Sequence, residues 1–337
     1  MKSLNGELIM IFLVCGYGLI GQQRTRAILD SGLAQEIYIY DPFLNDIHIE
    51  SESLIRIRDI SHLKINRISH VLIATPHDQV LKIIDKVSIH KPRIFIEKPM
   101  GRDLLESEMI RDIAKECDIS VGFNYRFMAG IEKLKTIITS NELGAINSIR
   151  LDLGHGGSPE DGNSWKLNKE LSGGGSLLDP GIHLIDLILY LFGENSSDIE
   201  IDGVNYWSGF WKTGIEESSM VLGKIDKIPF NLISSIVAWR TRFRVEVIGV
   251  NGYVIINSRG RSDGPQTITI GRRWGWLNAR SQLESELTSD IMDKDNSILN
   301  ETKAWINQSR QVCTAEQAYK SMNFYQKILN KKAPDGI

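Results

Sequence analysis

The sequence predicts an α/β domain built on a doubly wound parallel sheet, followed by an α+β domain with a mainly antiparallel sheet. A short apolar run, LIMIFLVC, leads directly into a glycine turn. Strand patterns then alternate with helix patterns, which is typical of a parallel sheet. Beyond residue 126, strand patterns follow one another with turn signals between them, which indicates an antiparallel sheet. We therefore predict one domain over residues 1–126 and a second over residues 127–337.

Composition and charge indicate an ordinary globular protein whose partners are small molecules and other copies of the chain. The 337 residues are 42% hydrophobic and 24% charged, with a formal net charge of −3. This balance argues against nucleic-acid and membrane-surface binding. No apolar run approaches the ~20 residues of a membrane span, and the N-terminal run lacks a small-residue cleavage site. The scattered Cys15, Cys117 and Cys313 favour reduced thiols in the cytoplasm.

The glycine turn is the first candidate binding site. Gly16, Gly18 and Gly21 form the pattern GxGxxG, with Leu19 and Ile20 between the last two glycines. The first glycine makes a tight turn, the second lets the backbone approach a pyrophosphate, and the third lets the helix pack against the strand. Such turns also occur for packing alone, but here a strand precedes the turn and a helix follows it. The pattern therefore predicts a dinucleotide site.

Asp41 follows the second predicted strand, residues 36–40. A carboxylate at this point accepts hydrogen bonds from the adenosine ribose and repels a 2′-phosphate. The alternative is a turn opener, Asp41-Pro42, and the two roles do not exclude each other. Because no Arg or Lys follows within several residues, the sequence favours NAD over NADP.

Periodicity and turn signals place the remaining elements. In the first domain we predict helices at residues 22–30, 79–87 and 104–117, and further strands at residues 69–75, 93–97 and 119–123. In the second domain we predict strands at residues 148–154, 203–211, 219–225, 231–238, 243–249 and 253–257.

Two local patterns in the second domain are more detailed. From Trp239 to Val247 polar and apolar residues alternate, which predicts one face packed on helices and one face rich in arginine. The arginine face is either solvated or contacts another subunit or an anionic substrate. Near the C-terminus, Thr314 and Gln317 predict a capping box for a helix whose apolar stripe ends at Leu329.

The triplet Glu97-Lys98-Pro99 closes a strand of the parallel sheet. Open α/β sheets bind their ligands at the carboxyl ends of the strands. Lys98 at such an end can hydrogen-bond a substrate hydroxyl or carbonyl. The alternative is a solvated lysine that only closes the strand.

The stretch GGGSLLDPGIH brings together residue types that suit proton transfer. Asp179 has N-cap chemistry, Pro180 suits the first helical position, and a helix is predicted to continue to Phe192. Helical spacing places Asp186 near His183, so that its carboxylate can orient the imidazole. The alternative is that Asp179 only caps the helix and that His183 is a satisfied, partly buried histidine.

Together these features resemble the glucose-fructose oxidoreductase, inositol dehydrogenase and MocA (Gfo/Idh/MocA) family of NAD(P)-dependent oxidoreductases. The resemblance covers nearly the whole chain. It rests on the glycine turn, Ala74-Thr75-Pro76, Glu97-Lys98-Pro99, Gly122-Phe123-Asn124-Tyr125-Arg126-Phe127, GGGSLLDPGIH, and Val247-Ile248-Gly249 with Gly252. It implies a Rossmann domain followed by an open-faced sheet that often mediates oligomers, and a sugar, inositol or nucleotide sugar as substrate.

The resemblance also implies roles for single residues. Lys98, Asp179 and His183 match the family's catalytic Lys, Asp and His. Positions near the nicotinamide are matched by Thr75, Pro76, Glu97 and Asn124. The substrate site is expected to include Tyr125, Arg126 and Trp165 beside the catalytic residues. The family usually carries a histidine four residues beyond the proline of the Thr-Pro motif, but this chain has Val80 there and His77 nearer the proline.

The resulting hypothesis is an NAD-dependent dehydrogenase acting on a carbohydrate or polyol, assembled as a homodimer or homotetramer. His183 moves the hydroxyl proton, Lys98 polarises the same oxygen, and Asp179 fixes the position of Lys98 or His183. No metal is expected, since the histidines and cysteines show no ligand spacing. The competing hypotheses are a dinucleotide- or sugar-sensing regulator and an NAD-dependent glycosidase on the same fold. The sequence does not specify the substrate or the direction of the reaction.

Overall fold

A computed structural model describes residues 10–44, 53–156, 164–193, 198–258, 265–272, 286–292 and 296–331. The helices are α1 (Leu19–Asp30), α2 (His77–Val87), α3 (Leu104–Ile113), α4 (Ala129–Thr139), α5 (Lys169–Ser172), α6 (Ile182–Phe192), α7 (Ser297–Ile306) and α8 (Ala315–Asn330). The strands are β1 (Met10–Cys15), β2 (Ala34–Tyr40), β3 (Leu54–Ile57), β4 (His70–Ile73), β5 (Arg93–Glu97), β6 (Ile119–Gly122), β7 (Ile146–Gly154), β8 (Ile199–Trp207), β9 (Ser218–Ile225), β10 (Ile228–Ser235), β11 (Arg242–Gly249), β12 (Gly252–Ser258), β13 (Gln266–Arg272), β14 (Glu286–Met292) and β15 (Cys313–Thr314).

The chain forms two compact units. The first unit contains the residues up to Phe123 together with Glu170–Gly173 and Ile298–Met322. The second unit contains Asn124–Lys169, Gly174–Ser297 and the residues from Asn323 onward.

The first unit is built on a seven-stranded sheet in the order β15-β6-β5-β4-β1-β2-β3. The pairs from β6 to β3 are parallel, and only the short β15 is antiparallel to its neighbour. The apolar run forms β1 in the interior of the sheet, between β4 and β2, and Ile11 to Cys15 are buried there. Leu8 and Ile9 lie outside the described residues. Strand order reverses between β1 and β4, and such a switch point is where open α/β sheets bind ligands. The predicted doubly wound parallel sheet is confirmed.

An aromatic cluster fills one side of this sheet. Trp305 of α7 is fully buried and lies 5.2 Å from the Phe95 ring and 6.2 Å from the Phe12 ring, between ring centroids. His70 stacks on Phe12 at 4.8 Å and meets Trp305 edge to face at 5.3 Å. A histidine has therefore been packed into an apolar core, where its charged form is disfavoured.

The second unit is built on an eight-stranded sheet in the order β14-β13-β12-β11-β7-β10-β9-β8. Every neighbouring pair is antiparallel except β7 with β10, which run parallel with Leu151 opposite Leu232. The predicted mainly antiparallel sheet is confirmed. Alternation in β11 also holds, since Phe243 and Val245 are buried whereas Arg244 is exposed.

The arginines of this face bind carboxylates on the same sheet. Arg242 of β11 contacts Asp152 of β7 at 2.7 Å. Glu246 accepts from both Arg150 at 3.2 Å and Arg244 at 2.9 Å. Such exposed pairs contribute roughly 0–1 kcal/mol each, so they organise the face more than they stabilise the fold.

Several boundaries differ from the sequence predictions. The alternating strand begins at Arg242, and Trp239 lies outside it with φ of 55° and 85% exposure, because Ala238 and Arg240 turn the chain through backbone hydrogen bonds. The strand predicted for residues 203–211 ends at Trp207, because the Glu217 carboxylate binds the backbone N–H groups that follow.

The C-terminal helix is confirmed with one correction. The N–H of Thr314 donates to Gln317 Oε1 and the N–H of Gln317 donates to Thr314 Oγ1, both at 3.3 Å, as a capping box requires. Leu329, however, is 41% exposed and does not belong to the buried stripe. Helices α4 and α7 were absent from the sequence prediction. Among the described residues, no helix has both the length and the apolar character needed to cross a membrane.

Candidate active site

The glycine turn (Gly16 to Gly21) joins β1 to α1 in the first unit. Gly16 has φ of +86°, and a Cβ there would lie 2.5 Å from the Ala74 carbonyl oxygen. A Cβ on Gly21 would lie 2.1 Å from the Gly16 carbonyl oxygen. A Cβ on Gly18 would meet nothing within 4 Å. Packing thus explains the outer two glycines, whereas the middle glycine faces open space, as close approach of a phosphate requires.

The N-terminus of α1 is arranged to bind an anion. Gly18 occupies the N-cap position, no side chain caps the first turn, and no acidic residue lies in it. The first-turn backbone amides at Leu19 and Ile20 therefore supply the positive end of the helix dipole without a competing carboxylate. Together with the open space at Gly18, this end of α1 fits the pyrophosphate of a dinucleotide.

Asp41 at the end of β2 holds the glycine turn from the side. Its Oδ2 accepts from the Tyr17 N–H at 2.8 Å, and its Oδ1 accepts from the Phe43 N–H at 2.9 Å. The second bond is the predicted Asp-Pro turn. The first bond was not predicted, and it places the carboxylate against the dinucleotide turn itself.

The Thr75-Pro76 motif follows β4 on the other side of the switch point. Thr75 Oγ1 is buried and has no hydrogen-bond partner among the described residues, so it is available to a ligand. Pro76 directly precedes α2. The first residue of α2, His77, is buried, and the His77 Nδ1 lies 2.8 Å from the Ser172 carbonyl oxygen. Val80, which stands where the resemblance led us to expect a histidine, is buried in the same helix.

Glu97 closes β5 and belongs to a buried ionic cluster that the sequence did not indicate. Arg24 of α1 donates to Glu97 Oε1 at 2.8 Å and to Glu301 Oε2 at 2.5 Å. Burial alone would lower the pKa of the Arg24 guanidinium, but Glu97 and Glu301 outweigh burial and raise that pKa. A Cβ on Gly122 would lie 3.0 Å from both partners of the Arg24–Glu97 pair. The half-buried Lys98 follows, and its peptide bond to Pro99 is cis.

In the second unit, Tyr125 and His183 form one stacked pair. Their ring centroids are 4.2 Å apart and their planes are inclined by 10°. Tyr125 is fixed in turn by an edge contact with Phe243 at 5.1 Å. Asn124, next in the chain, donates from Nδ2 to Ser297 Oγ at 2.8 Å. The imidazole of His183 is therefore buried and held flat against a phenol ring.

The carboxylate of Asp186 binds Arg126, a contact that the sequence did not indicate. Arg126 donates from Nε to Asp186 Oδ2 at 2.8 Å and from Nη2 to Oδ1 at 2.6 Å. The two side chains are 3% and 1% exposed. Because both carboxylate oxygens bind the guanidinium, Asp186 joins α6 to the segment that carries Tyr125.

Asp179 precedes α6 without capping it. The helix begins at Ile182 with Gly181 as its N-cap, so the predicted N-cap and first helical position are wrong. The Asp179–Pro180 peptide bond is cis. The Asp179 N–H instead donates to the Gly175 carbonyl oxygen at 2.8 Å in a series of turns. Its carboxylate contacts Lys166 Nζ at 2.9 Å, beside the half-buried Trp165.

Glu216 is a second residue that the sequence did not indicate. Its Oε1 accepts from the Gly175 N–H at 3.0 Å and the Leu177 N–H at 3.2 Å. Burial raises the pKa of the Glu216 carboxyl, although these N–H donors oppose the effect. Burial raises the pKa of Tyr206 to about 12, with Glu216 adding to the effect. The GGGSLLDPGIH stretch thus carries a carboxyl partner from another part of the chain.

Metal sites and reactive thiols are two further kinds of chemistry that the described part of the chain could carry. No group of three or more His, Cys, Asp or Glu side chains there could hold a metal ion. Burial raises the pKa of the Cys15 and Cys117 thiols, so neither is an activated nucleophile.

Two family models match the chain. Residues 10–125 match the oxidoreductase family with an NAD-binding Rossmann fold, and residues 131–255 match the GFO/IDH/MocA C-terminal domain. Among curated proteins, glucose-6-phosphate 3-dehydrogenase of Bacillus subtilis is 35% identical over 136 residues, which cover 36% of each chain. Levoglucosan dehydrogenase of Pseudarthrobacter phenanthrenivorans is 34% identical over 133 residues, covering 38% of this chain and 34% of that protein. These alignments span about a third of each relative's length.

Solved structures agree with this fold. Levoglucosan dehydrogenase in complex with NADH and levoglucosan superimposes with a TM-score of 0.78 at 17% identity, covering 96% of both chains. A UDP-N-acetylglucosamine 3-dehydrogenase from Acidithiobacillus ferrooxidans superimposes with a TM-score of 0.69 at 15% identity, covering 95% of this chain and 97% of that one. With both domain models matched in order and the glycine turn built for a dinucleotide, the chain belongs to the Gfo/Idh/MocA family and carries an NAD-binding Rossmann domain.

Proposed function

We propose that this protein is an NAD-dependent dehydrogenase acting on a secondary hydroxyl of a sugar, inositol or nucleotide sugar. The observation that carries the proposal is the glycine turn, where Gly18 faces open space at an uncapped helix N-terminus. Family membership and the names of the relatives, which are sugar dehydrogenases, support the substrate class. When bound, NAD supplies the acceptor for the hydride that leaves the carbinol carbon.

The proton is assigned to His183. Its ring is held against Tyr125, so the imidazole presents a fixed edge rather than a rotating one. We propose that it takes the hydroxyl proton during oxidation and returns it during reduction. Lys98 donates a hydrogen bond to the same substrate oxygen and stabilises the negative charge that develops there. Asp179 fixes the position of Lys98 or His183.

The side chains around His183 are proposed to shape the substrate site. Tyr125 orients the imidazole and presents its phenol edge, and Trp165 contributes an aromatic wall. Arg126 is bound to Asp186 on both carboxylate oxygens, which supports a role in holding Tyr125 rather than in direct contact with a substrate. Thr75, Pro76, Glu97 and Asn124 are proposed to lie along the nicotinamide.

Selectivity for NAD over NADP is assigned to Asp41. Its carboxylate is anchored on the glycine turn by the Tyr17 N–H, where a 2′-phosphate would bring further negative charge. We also propose a cytoplasmic location, in keeping with three buried cysteines.

Self-association through the second sheet is proposed from the exposed residues of β9. Met220 and Leu222 are 49% and 52% exposed, whereas Val221 between them is fully buried. An apolar pair beside the arginine-carboxylate face is suited to a second copy of the chain, as a homodimer or homotetramer.

The test is a substrate panel of polyols, sugars and nucleotide sugars, followed by NADH absorbance. Wild-type protein should produce NADH stoichiometrically with at least one substrate, and His183→Ala should lose most turnover while still binding NADH. Failure of the wild type on every substrate in both reaction directions would contradict a dehydrogenase. Consumption of substrate without net NADH would favour a glycosidase that recycles its cofactor.

A further inference from the structure

Three consecutive backbone amides of the GGGSLLDPGIH stretch are bound by one residue. Glu216 Oε1 accepts from the N–H groups of Gly175 and Leu177, and the Glu216 carbonyl oxygen accepts from the Ser176 N–H at 2.8 Å. A Cβ on Gly175 would lie 2.0 Å from the Glu216 carbonyl oxygen, so only glycine permits this approach. The segment is therefore attached at three successive positions to Glu216, which lies two residues before β9.

Two hydroxyl groups of the neighbouring strands complete the attachment. Ser176 Oγ lies 2.9 Å from Ser219 Oγ, and Ser234 donates its hydroxyl to the Ser176 carbonyl oxygen. These hydrogen bonds hold residues 175–177 in place against β9 and β10. Removing the Glu216 carboxyl would leave two amide donors of a buried segment without their acceptor, which favours a shift of the segment toward other acceptors.

The same segment determines where the proposed catalytic residues lie. The Asp179 N–H donates to the Gly175 carbonyl oxygen at 2.8 Å, and the Gly181 N–H donates to the Ser176 carbonyl oxygen at 2.8 Å. Gly181 directly precedes α6, whose second residue is His183. A shift of residues 175–177 is therefore transmitted to Asp179 through one hydrogen bond and to His183 through the start of α6.

We propose that Glu216 is a positioning residue of the active site, which fixes Asp179 and His183 by binding the amides of residues 175–177. The assignment rests on the proposed function for its catalytic meaning. Glu216 touches neither substrate nor cofactor in this account. Its effect on turnover comes through placement, where an error of about 1 Å costs up to roughly 100-fold in rate.

The adjacent Glu217 provides a matched control. It is fully buried, and its carboxylate also binds consecutive backbone amides, at Gly209 (3.0 Å), Phe210 (2.8 Å) and Trp211 (2.6 Å). These amides belong to the loop after β8, not to the GGGSLLDPGIH stretch. Glu216 and Glu217 are therefore adjacent glutamates whose carboxylates both accept hydrogen bonds from backbone N–H groups, but the two bind different loops.

The experiment compares Glu216→Ala, Glu216→Gln and Glu217→Ala in the full chain. Each variant is measured for kcat and KM with the best substrate, for NADH affinity, and for amide hydrogen exchange in a peptide covering residues 174–183. We expect Glu216→Ala to lower kcat by roughly 10- to 100-fold with NADH affinity unchanged, and to lose protection in that peptide. Glu216→Gln should restore both within about threefold, because its amide oxygen accepts the same two N–H groups. Glu217→Ala should lose protection at residues 209–211 and keep kcat.

Wild-type kcat and wild-type exchange in Glu216→Ala would overturn the proposal. An equal fall in kcat in Glu217→Ala would also overturn it, since the loss would then reflect general destabilisation. If the wild type turns over no substrate, the proposed function fails. Exchange at residues 174–183 still decides the positioning claim, which requires protection lost in Glu216→Ala and restored in Glu216→Gln.

Discussion

His70 makes the native state sensitive to mild acid. It begins β4, is 4% exposed, and is enclosed by the rings of Phe12 and Trp305. Burial lowers the pKa of His70 from 6.5 to about 4, and the Arg93 guanidinium adds to the effect while Asp118 opposes it. Below pH 6.5 the unfolded chain therefore binds a proton that the native chain excludes.

The size and direction of the effect follow from linkage. Because the folded pKa is the lower one, the native state is disfavoured progressively as pH falls from 6.5 to about 4, and the effect is absent above that window. Each pKa unit is worth about 1.4 kcal/mol, so the loss over the window is about 3 kcal/mol. For a domain with a stability of about 5–15 kcal/mol, this loss is a large fraction.

The assay is urea unfolding, followed by tryptophan fluorescence, at several pH values between 7.5 and 4. His70→Leu removes the titrating group while retaining an apolar side chain at the site. The difference in unfolding free energy between wild type and His70→Leu should shift by about 3 kcal/mol in favour of the variant as pH falls from 6.5 to 4. His90→Leu, at an exposed histidine, is the control and should follow the wild-type pH dependence. A difference that stays constant within about 0.5 kcal/mol across the window would contradict a lowered pKa of His70 in the native state.

Four further predictions concern binding, turnover and assembly. Gly18→Ala should unfold like the wild type but bind NADH at least about tenfold more weakly, because its methyl group enters the space left for phosphate. Gly21→Ala should instead lower the melting temperature, because its Cβ would lie 2.1 Å from the Gly16 carbonyl oxygen. Asp41→Ala should reduce the preference for NAD, measured as the ratio of kcat/KM with NAD to kcat/KM with NADP. A wild type that prefers NADP would show that Asp41 does not select NAD. Lys98→Met should lower kcat by roughly 10²- to 10³-fold with NADH affinity retained, and a parallel collapse of NADH binding would place Lys98 in the cofactor site. Leu222→Glu should shift sedimentation toward a smaller species, and a wild type that is already monomeric at micromolar concentration would remove the basis for self-association through this sheet.

The fold was predictable where the signal is local. The glycine turn is specified by three residues within one strand–helix connection, and the strand Arg93–Glu97 was predicted at its observed bounds. The end of β8 at Trp207 was not predictable. It depends on Glu217, which is buried and lies ten residues later, and whose carboxylate accepts from the N–H groups of the residues that follow the strand. Local propensity could not show that interaction.

The contacts around the candidate site were less predictable than the fold. The roles of Lys98, Asp179 and His183 stay predictions from motifs, whereas the structure shows the carboxylate of Asp186 bound to Arg126, sixty positions away in sequence. Glu216 had no distinguishing signal, since two adjacent glutamates before a strand resemble solvated charges. Contacts of this kind depend on which strands the sheet brings together, and the sequence pattern does not contain that information.

In the proposed reaction the substrate's carbinol carbon transfers its hydrogen to NAD, and isotope transfer follows that hydrogen directly. The best substrate of the panel is prepared with deuterium on the reacting carbon, and the NADH formed is analysed by mass spectrometry. We expect one deuterium in each NADH molecule. NADH should accumulate in step with the oxidised product, and His183→Ala should suppress the formation of both. NADH without deuterium, or substrate consumed while the cofactor returns to its oxidised form, would contradict the proposed reaction.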